Sequence, residues 1–263
     1  MNCTINSASN FSGLQAGISQ ISPAQLAAPV RKSTLNRPFI SPILPFISPI
    51  LAIAWRHDIH QHPELGNQEF RTAALVAEHL RSLGMQVETG VGTTGVVGVL
   101  TGGQPGPVVG LRADMDALPV REQTGLPYAS VVEQEYHGRM MPVMHACGHD
   151  AHVAILMAVA ENLAAHRDQL QGSVKFIFQP AEEGPSDYVY DGERHFGARL
   201  MVEQGVLENP QVEAIFGLHV TSAAPTGVIG YRGGPIMAAS GDLRIRVRGE
   251  QTHGAQPWSG VDP

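Results

Sequence analysis

Cysteine and charged side chains are scarce in this sequence of 263 residues, and each scarcity excludes a class of protein. The two cysteines are Cys3 and Cys147, so a disulfide-rich scaffold is excluded and a reducing, cytoplasmic location is expected. Hydrophobic residues make up 43% of the chain and charged residues 16%, a balance that excludes an intrinsically disordered protein. Because 24 acidic residues outnumber 17 basic ones, we expect no nucleic-acid partner.

Acidic residues are absent from the first 54 positions, which sets this segment apart from the rest of the chain. It contains a proline-rich near-repeat, FISPILP at 39–45 followed by FISPIL at 46–51. Recurring proline argues against a regular helix, and the apolar run is shorter than the roughly 20 residues that a membrane span requires. We predict a disordered extension over residues 1–54 and no membrane partner, with export through this atypical apolar segment as the alternative.

Beyond residue 54, hydrophobic periodicity predicts helices that alternate with strands. Apolar spacing predicts a helix over residues 69–83, and a nearly all-apolar run predicts a second, buried helix over residues 154–165. The apolar runs VKFIF at 174–178 and AIFGL at 214–218 predict buried strands. This alternation favours an α/β fold in which helices flank a mixed, mostly parallel central sheet.

Two further patterns in the sequence also predict β-strands. The runs at 96–100 and 108–111 are joined by the turn-rich TGGQPGP, which predicts a β-hairpin. LRIRV at 243–247 alternates strictly, which indicates a half-exposed strand of a separate antiparallel layer. We therefore predict an α/β domain over residues 55–238 and the beginning of a second domain over residues 239–263.

Metal-competent side chains lie where several predicted strands end or the buried helix begins. The carboxyl ends of parallel strands meet at one edge of an open α/β sheet, which is where such sheets bind ligands. The sequence therefore predicts a functional site at this edge. The candidates are Asp114, Asp116, Cys147, His149, Glu182, Glu183 and His219. We expect only one of the two aspartates to face the site.

Cys147 and His149 are separated by one glycine in a loop that leads into the predicted helix. A helix N-terminus favours the thiolate, so we expect the pKa of Cys147 to be lowered. Three interpretations of the pair stay open: two ligands of one metal ion, a cysteine nucleophile with His149 as its base, or an inert buried cysteine beside a hydrogen-bonded histidine.

Glu182 and Glu183 are adjacent carboxylates after a hydrophobic strand and a proline. Two buried carboxylates are costly without a compensating cation, so the doublet predicts a metal site, with an exposed acidic turn as the alternative. At a metal site one carboxylate binds the ion and the other is free to take a proton from water.

The remaining histidines carry weaker predictions. His219 has a core histidine as its alternative interpretation. His152, one helical turn after His149, has two interpretations, a further ligand of the same ion and a structural role that faces its helix, of which we expect the second. Solvated or helix-capping positions are expected for His57, His60, His62, His79 and His137.

Six segments of the sequence form an ordered set: RHDIHQHPELGNQEFRTA, LRADMDALPVREQTGLPYAS, MHACGHDAHVA, FQPAEEGP, GLHV and THGAQPWSGVDP. In this order they resemble the hippurate hydrolase-like amidohydrolases, a branch of the larger family of di-metal aminoacylases and zinc carboxypeptidases. The resemblance extends from about Trp55 to Pro263. The first 54 residues have no counterpart in it.

The resemblance implies a phosphorylase/hydrolase-like catalytic α/β domain with a two-metal site, and an inserted antiparallel α+β lid domain. The implied metal ligands are Cys147, His149, Glu183 and His219. Glu182 would be the general base, and Asp114 would orient a ligand or the site, with Asp116 as the secondary candidate. His253 matches a lid histidine that reaches the substrate, although Trp258 stands where many relatives have another histidine.

The activity implied by the resemblance is metal-dependent hydrolysis of the amide bond of a small-molecule N-acyl amino acid, such as hippurate, to a carboxylic acid and a free amino acid. The implied cofactors are two divalent ions, zinc or manganese, and the implied assembly is a homodimer when full-length. Relatives continue well beyond the position of Pro263 and supply a further histidine ligand there. A catalytically incompetent remnant is therefore one alternative, and a cysteine-nucleophile hydrolase is the second.

Overall fold

A computed structural model describes residues 49–187, 194–231, 236–237, 245 and 247–261. The helices within these residues are α1 (Pro49–Gln61), α2 (Phe70–Ser82), α3 (His149–Ala165) and α4 (Gly197–Glu203). The strands are β1 (Gln86–Val91), β2 (Gly95–Thr101), β3 (Gln104–Asp114), β4 (Glu133–Tyr136), β5 (Arg139–Pro142), β6 (Gln171–Gln179) and β7 (Ala214–Gly217).

Five of these strands form one sheet in the order β1-β2-β6-β3-β7. The β3 strand pairs in parallel with both β6 and β7, whereas β2 is antiparallel to its neighbours β1 and β6. Four of the five strands therefore point the same way, which confirms the predicted mixed, mostly parallel sheet with flanking helices. The short strands β4 and β5 form a separate antiparallel ribbon.

The predicted hairpin between residues 96–100 and 108–111 is wrong. Both segments are strands, but β6 lies between them and pairs with each. The connecting TGGQPGP packs against the chain that leads into β6, since Gly102 donates to the Gly172 carbonyl and Gly103 to the Arg167 carbonyl. Its turn-forming composition therefore serves a close backbone approach and not a two-stranded turn.

The main core lies between the sheet and the helices α1, α2 and α3. Val76 and Leu80 of α2 are fully buried and pack in one cluster with Met157 of α3 and with Phe176 and Phe178 of β6. The periodic apolar spacing of α2 arises from this one-sided burial, whereas α3 is apolar along most of its surface because most of its residues are buried. α2 agrees closely with its predicted range, whereas α3 begins five residues before its predicted start, at His149.

α1 begins at Pro49, within the predicted disordered extension of residues 1–54. Residues 49–54 are therefore helical and not disordered. Proline is tolerated in the first helical turn because its missing N–H has no intrahelical acceptor there. Residues 50–54 contain no proline, and they therefore continue the helix. The rest of the predicted extension, residues 1–48, lies outside the described residues.

β7 differs from its prediction as a buried strand. It pairs with β3 at the edge of the sheet, and Ile215 and Phe216 are 51% and 62% exposed. An apolar sequence pattern reports the hydrophobicity of a strand but not which neighbours cover the strand. It therefore does not distinguish an edge strand from a central one.

The described residues up to Ala224 form one compact unit, and those from Pro225 onward belong to a second. In the second unit Glu250 pairs with Val261 through an isolated β-bridge, and a single 3-10 turn follows residue 256. The strand predicted over 243–247 falls largely outside the described residues. Within the part of the chain that is described, no helix combines the length and hydrophobicity needed to cross a membrane.

Candidate metal centre

The polar edge of the sheet arises from the ends of three parallel strands. β3 ends at Asp114, and β6 ends directly beside it at Gln179, since these two residues are register partners. His219 lies two residues beyond the end of β7, and the first turn of α3 begins at the same edge with His149. The sequence-predicted candidates in this unit are therefore brought together, as the carboxyl-edge argument requires.

His149 lies at the centre of this arrangement and is buried. Gly148 precedes it with φ +86°, a left-handed conformation that glycine adopts without strain and that turns the chain into α3. The Nδ1 atom of His149 donates to the Asp116 carbonyl oxygen at 2.8 Å and lies 3.2 Å from the Asp116 carboxylate. Its Nε2 atom is buried and has no hydrogen-bond partner among the described residues.

The unpartnered Nε2 atom of His149 faces two carboxylates, Asp114 at 3.6 Å and Glu182 at 3.9 Å. Burial by itself would lower the pKa of His149, but the hydrogen bond to Asp116 and the nearby carboxylates outweigh it and raise this pKa to about 9. The pocket therefore stabilises positive charge at this position.

Asp114 is held by several cationic or hydrogen-bonding groups. Burial opposes its ionisation, yet the hydrogen bond from His152 and the charges of His149 and Arg112 outweigh burial and lower its pKa to about 2. His152 Nδ1 donates to Asp114 at 2.6 Å, and the opposite ring nitrogen, Nε2, accepts the Val220 N–H at 2.9 Å. These two bonds engage both ring nitrogens of His152 with partners outside α3, and its structural role stays a prediction.

Both aspartates contact His149, but only Asp114 lies on the Nε2 side and belongs to a group of potential metal ligands, which agrees with the expectation that one of the two faces the site. Residues two apart in an extended segment lie on the same side of the chain, which explains why both contact His149. Asp114 approaches Nε2 of His149 and Asp116 approaches Nδ1. Asp116 also accepts the backbone N–H of Glu183 at 2.8 Å.

Cys147 is a free thiol that lies 3.4 Å from Nε2 of His219, measured at Sγ. The expected lowering of its pKa is wrong: burial first, and then the hydrogen bond and charge of Glu183 with further repulsion from Glu182, raise this pKa to about 12. Burial and the full negative charges close to the sulfur together outweigh the effect of the helix N-terminus.

Glu182 and Glu183 are exposed, as the acidic-turn alternative predicts, but the Glu182 carboxylate lies 3.9 Å from the buried Nε2 atom of His149. Burial of part of the Glu182 carboxylate, and repulsion from Glu183 and Asp114, raise its pKa above the ordinary value. Such a shift suits a group that must accept a proton near neutral pH.

Potential ligand atoms fall into overlapping groups, in each of which all atoms lie within 4.8 Å of one another. The groups are Cys147, His149 and His219; His149, Glu182 and Glu183; and Asp114, His149 and His152. His149 belongs to all three. The first two contain the four ligands that the resemblance implies, together with Glu182.

The prediction for His60 as a solvated or capping histidine is wrong. Its side chain is buried and joins α1 to the first turn of α3, with Nδ1 2.8 Å from Asp150 and Nε2 3.2 Å from Glu122. Arg56 also donates to Asp150 at 3.0 Å. The sequence signal was the spacing of Arg56 and His60, which places both on one side of a helix.

His253, the predicted lid histidine, belongs to the second unit and is exposed. Its Nδ1 atom accepts the Ala255 N–H at 3.1 Å, and its carbonyl oxygen accepts the Gln256 N–H. These contacts form a local turn, and the role of His253 stays a prediction.

Comparison with known proteins supplies an independent view of the chain. The profile of peptidase family M20/M25/M40 matches residues 110–259, a stretch that contains every candidate site residue. Among solved structures, a Bacillus subtilis protein described as a dinuclear metal binding peptidase from the M20 family superimposes with a TM-score of 0.59 at 41% identity. The match covers 70% of this chain and 46% of that one.

Curated sequences show the same similarity. Thermostable carboxypeptidase 1 of Saccharolobus solfataricus is 46% identical over 209 residues, covering 79% of this chain and 49% of the relative. IAA-amino acid hydrolase ILR1-like 4 of Arabidopsis thaliana is 43% identical over 208 residues, covering 79% and 42%. The chain thus spans about half the length of the curated relatives it matches.

Proposed function

We propose that this chain, which belongs to peptidase family M20/M25/M40, carries the catalytic centre of a metal-dependent amidohydrolase. The substrate class is an N-acyl amino acid, whose amide bond is hydrolysed to a carboxylic acid and a free amino acid. The names of the two relatives above, a carboxypeptidase and an amino acid hydrolase, are compatible with this class.

The observation that carries this proposal is the buried Nε2 atom of His149. A buried ring nitrogen without a partner is costly, and two carboxylates lie within 3.9 Å of it. A cation bound by this nitrogen would satisfy it and offset the negative charge of the surrounding carboxylates.

The donor set fits two divalent ions of the zinc or manganese type. Cys147, His149 and His219 are soft and borderline donors that suit zinc, whereas the carboxylates of Glu182 and Glu183 also accept manganese. When bound, such ions polarise an amide carbonyl and lower the pKa of water. We assign the implied ligand roles to Cys147, His149, Glu183 and His219.

Other residues of the chain would transfer the proton and orient the side chains of the site. Glu182, with its raised pKa, takes a proton from the attacking water and delivers it to the nitrogen of the leaving amino acid. Asp116 orients the His149 ring from the Nδ1 side and holds the Glu183 peptide. Asp114 is itself held by His152 and Arg112, so the side of the pocket that faces Nε2 is also rigid.

The cysteine-nucleophile alternative is less well supported. A nucleophilic thiol requires a lowered pKa, whereas burial, together with the carboxylates around Cys147, raises the pKa of this thiol to about 12. A bound cation would favour the thiolate, because its positive charge would reverse the local charge balance. A role for His253 at the oxyanion, a homodimer and a cytoplasmic location remain predictions.

The test separates the two residues of the doublet. In the metal-loaded protein Glu182→Gln should lower the kcat of hippurate hydrolysis by roughly 10²- to 10⁴-fold and leave the metal content unchanged, as expected for loss of a general base. Glu183→Gln should reduce the metal content itself, measured by mass spectrometry of the metals.

Glu78→Gln, on the exposed side of α2, is the matched control and should change neither quantity. Loss of metal in Glu182→Gln together with retention in Glu183→Gln would reverse the assignment within the doublet. A metal-loaded wild-type protein that hydrolyses none of a panel of N-acyl amino acids would contradict the proposed substrate class.

A further inference from the structure

Glu69 is a fully buried carboxylate that lies outside the metal-competent groups but contacts the loop that bears the doublet. It immediately precedes α2, and its Oε1 atom accepts the backbone N–H of Ala181 at 2.8 Å. Its second oxygen accepts the hydroxyl proton of Thr94. Both carboxylate oxygens are thus committed, one of them to the residue directly before Glu182.

The peptide that Glu69 holds has an unusual conformation. Ala181 has φ +46°, in the left-handed region that a residue with a Cβ adopts only when its surroundings impose it. The φ angle of Ala181 determines the direction in which the chain continues to Glu182. A contact that stabilises this conformation therefore sets the position of the doublet.

The rest of the segment before α2 supports the same loop. The Gly66 carbonyl accepts the Ser186 N–H at 3.0 Å, and the Gln68 side chain donates to the Ser186 hydroxyl at 2.7 Å. Gly66 also packs so closely on Gly184 that a Cβ at residue 66 would overlap the Gly184 carbonyl oxygen. The loop is therefore held at several points, and Glu69 is the acidic side chain among these contacts.

Two carboxylates hold the loop from different directions. Glu69 accepts the N–H of Ala181, and Asp116, which also orients His149, accepts the N–H of Glu183. Glu182 lies between the two anchored peptides. Its backbone is therefore fixed on both sides while its own side chain remains free to act.

We propose that Glu69 is the positioning residue of the Glu182–Glu183 doublet, acting through the Ala181 peptide. This inference rests on the proposed function for its catalytic consequence, but the anchoring of the loop can be measured without it. Glu69 contacts no reacting group, so its effect should be on the rate of the chemical step and on loop order, and not on substrate recognition.

The chemistry of the contact defines the informative variants. Glutamine retains an oxygen that accepts the Ala181 N–H, and its amide group can donate to the Thr94 hydroxyl oxygen. Alanine retains neither contact. Glu69→Gln should therefore rescue what Glu69→Ala loses, although glutamine lacks the negative charge.

Glu64 supplies a matched control in the same segment. It is also a buried carboxylate, but it accepts the N–H groups of Arg71 and Thr72 and the Thr72 hydroxyl proton, so it caps α2 and leaves the loop untouched. Glu64→Ala should lower the melting temperature without altering the doublet. A general loss of stability is thereby separated from a loss of position.

The experiment compares the full chain of the wild type with Glu69→Ala, Glu69→Gln and Glu64→Ala. We measure amide hydrogen exchange of the peptide covering residues 181–186, zinc affinity, and kcat and KM for hippurate. Glu69→Ala should accelerate exchange by at least about 10-fold and lower kcat roughly 10- to 100-fold, since displacements of about 1 Å have costs of this order. KM should change less than about 3-fold, and Glu69→Gln should remain near the wild type in every measurement.

The proposal is overturned if Glu69→Ala leaves the exchange of residues 181–186 unchanged, or if Glu64→Ala accelerates that exchange as much. If the wild type proves inactive on every N-acyl amino acid, the proposed function fails, and exchange and zinc affinity still decide the role of Glu69. If Glu69→Ala does not fold, Thr94→Val removes the bond to the second carboxylate oxygen. An unchanged exchange rate in Thr94→Val would then overturn the proposal, and a selective acceleration would support it.

Discussion

Replacing Glu69 with glutamine should stabilise the fold at neutral and alkaline pH and change little in acid. Burial is the main cause that raises the pKa of Glu69 from 4.5 to about 7, with a smaller contribution from the charge of Asp116. The hydrogen bonds from Thr94 and Ala181 oppose the shift without cancelling it. Near neutral pH the folded chain therefore carries a carboxyl group that would ionise more readily if the chain unfolded.

The sign and the size of the effect follow from the two pKa values. Below pH 4.5 the carboxyl group is protonated in both states and its ionisation does not affect stability. As the pH rises towards 7 the unfolded state loses its proton first, so the free energy of unfolding falls, and above the folded pKa the penalty is constant. At 1.36 kcal/mol per pKa unit, the penalty is about 1 kcal/mol at pH 5 and about 3 kcal/mol at pH 8.

Glutamine at position 69 is neutral in both states and keeps an acceptor for the Ala181 N–H, so it should escape this penalty. Urea unfolding of the wild type and of Glu69→Gln at pH 5, 6, 7 and 8 measures the difference. A chelator should be present, so that bound cations do not add their own pH dependence. The exposed control Glu78→Gln should differ from the wild type by less than about 0.5 kcal/mol at each pH.

A stability difference between Glu69→Gln and the wild type that does not grow from pH 5 to pH 8 would refute the reasoning. A variant that is less stable than the wild type at pH 8 would refute it more strongly. That result would mean that ionised Glu69 contributes more through its two hydrogen bonds than its burial costs.

Two further predictions concern the thiol and the packing of the loop. Without metal, the pKa of Cys147 is raised to about 12, so little of the thiol is ionised at pH 8. Iodoacetamide should therefore alkylate Cys147 at least about 10-fold more slowly in the folded, chelator-treated protein than in urea, as followed by peptide mass spectrometry. Faster alkylation in the folded protein would favour a nucleophilic cysteine. Gly66→Ala should lower the free energy of unfolding, measured in urea, by about 1–3 kcal/mol because the new Cβ would displace the Gly184 carbonyl. Gly254→Ala places its Cβ in open space and should lower the free energy of unfolding much less. Equal losses in the two variants would contradict the close packing at Gly66.

The helices and the direction of the sheet could be predicted because their signals are local and repeated. The spacing of Val76, Leu80 and their neighbours in α2 reports one buried face, and the periodicity fixes the helix without knowledge of its partners. The alternation of such helices with apolar strands likewise favours parallel strands. Both inferences required only neighbours along the chain.

The pairing of strands could not be predicted in the same way. β2 and β3 are separated by a glycine- and proline-rich connection of the kind that forms hairpins, yet both pair with β6, which follows some 60 residues later. The choice depends on which strand fills the centre of the sheet, a non-local property. For the same reason the exposed position of β7 could not be read from its apolar sequence.

The start of α3 could not be predicted from apolar spacing because the first turn of the helix is polar, although it is buried. His149, Asp150 and His152 break the apolar pattern, and each is instead stabilised or held by partners from distant parts of the chain. His149 is held by Asp116, and Asp150 by Arg56 and His60 of α1. Residue types at a site can thus be recognised from a sequence, but their partners depend on contacts that the fold creates.

The difference between residue types that a sequence reveals and contacts that only the fold creates also applies to the candidate site, as Glu69 shows. In the sequence it is one acidic residue at the start of an amphipathic helix, 113 positions before Glu182. In the structure it is buried, and it accepts the N–H of a left-handed peptide adjacent to the doublet. The doublet can therefore be recognised by its two adjacent carboxylates, whereas its orientation depends on a side chain whose sequence context predicts only a helix. Substitutions such as Glu69→Ala, which preserve Glu182 and Glu183 but remove the acceptor for the Ala181 N–H, should accordingly impair the site while leaving its recognisable residues intact.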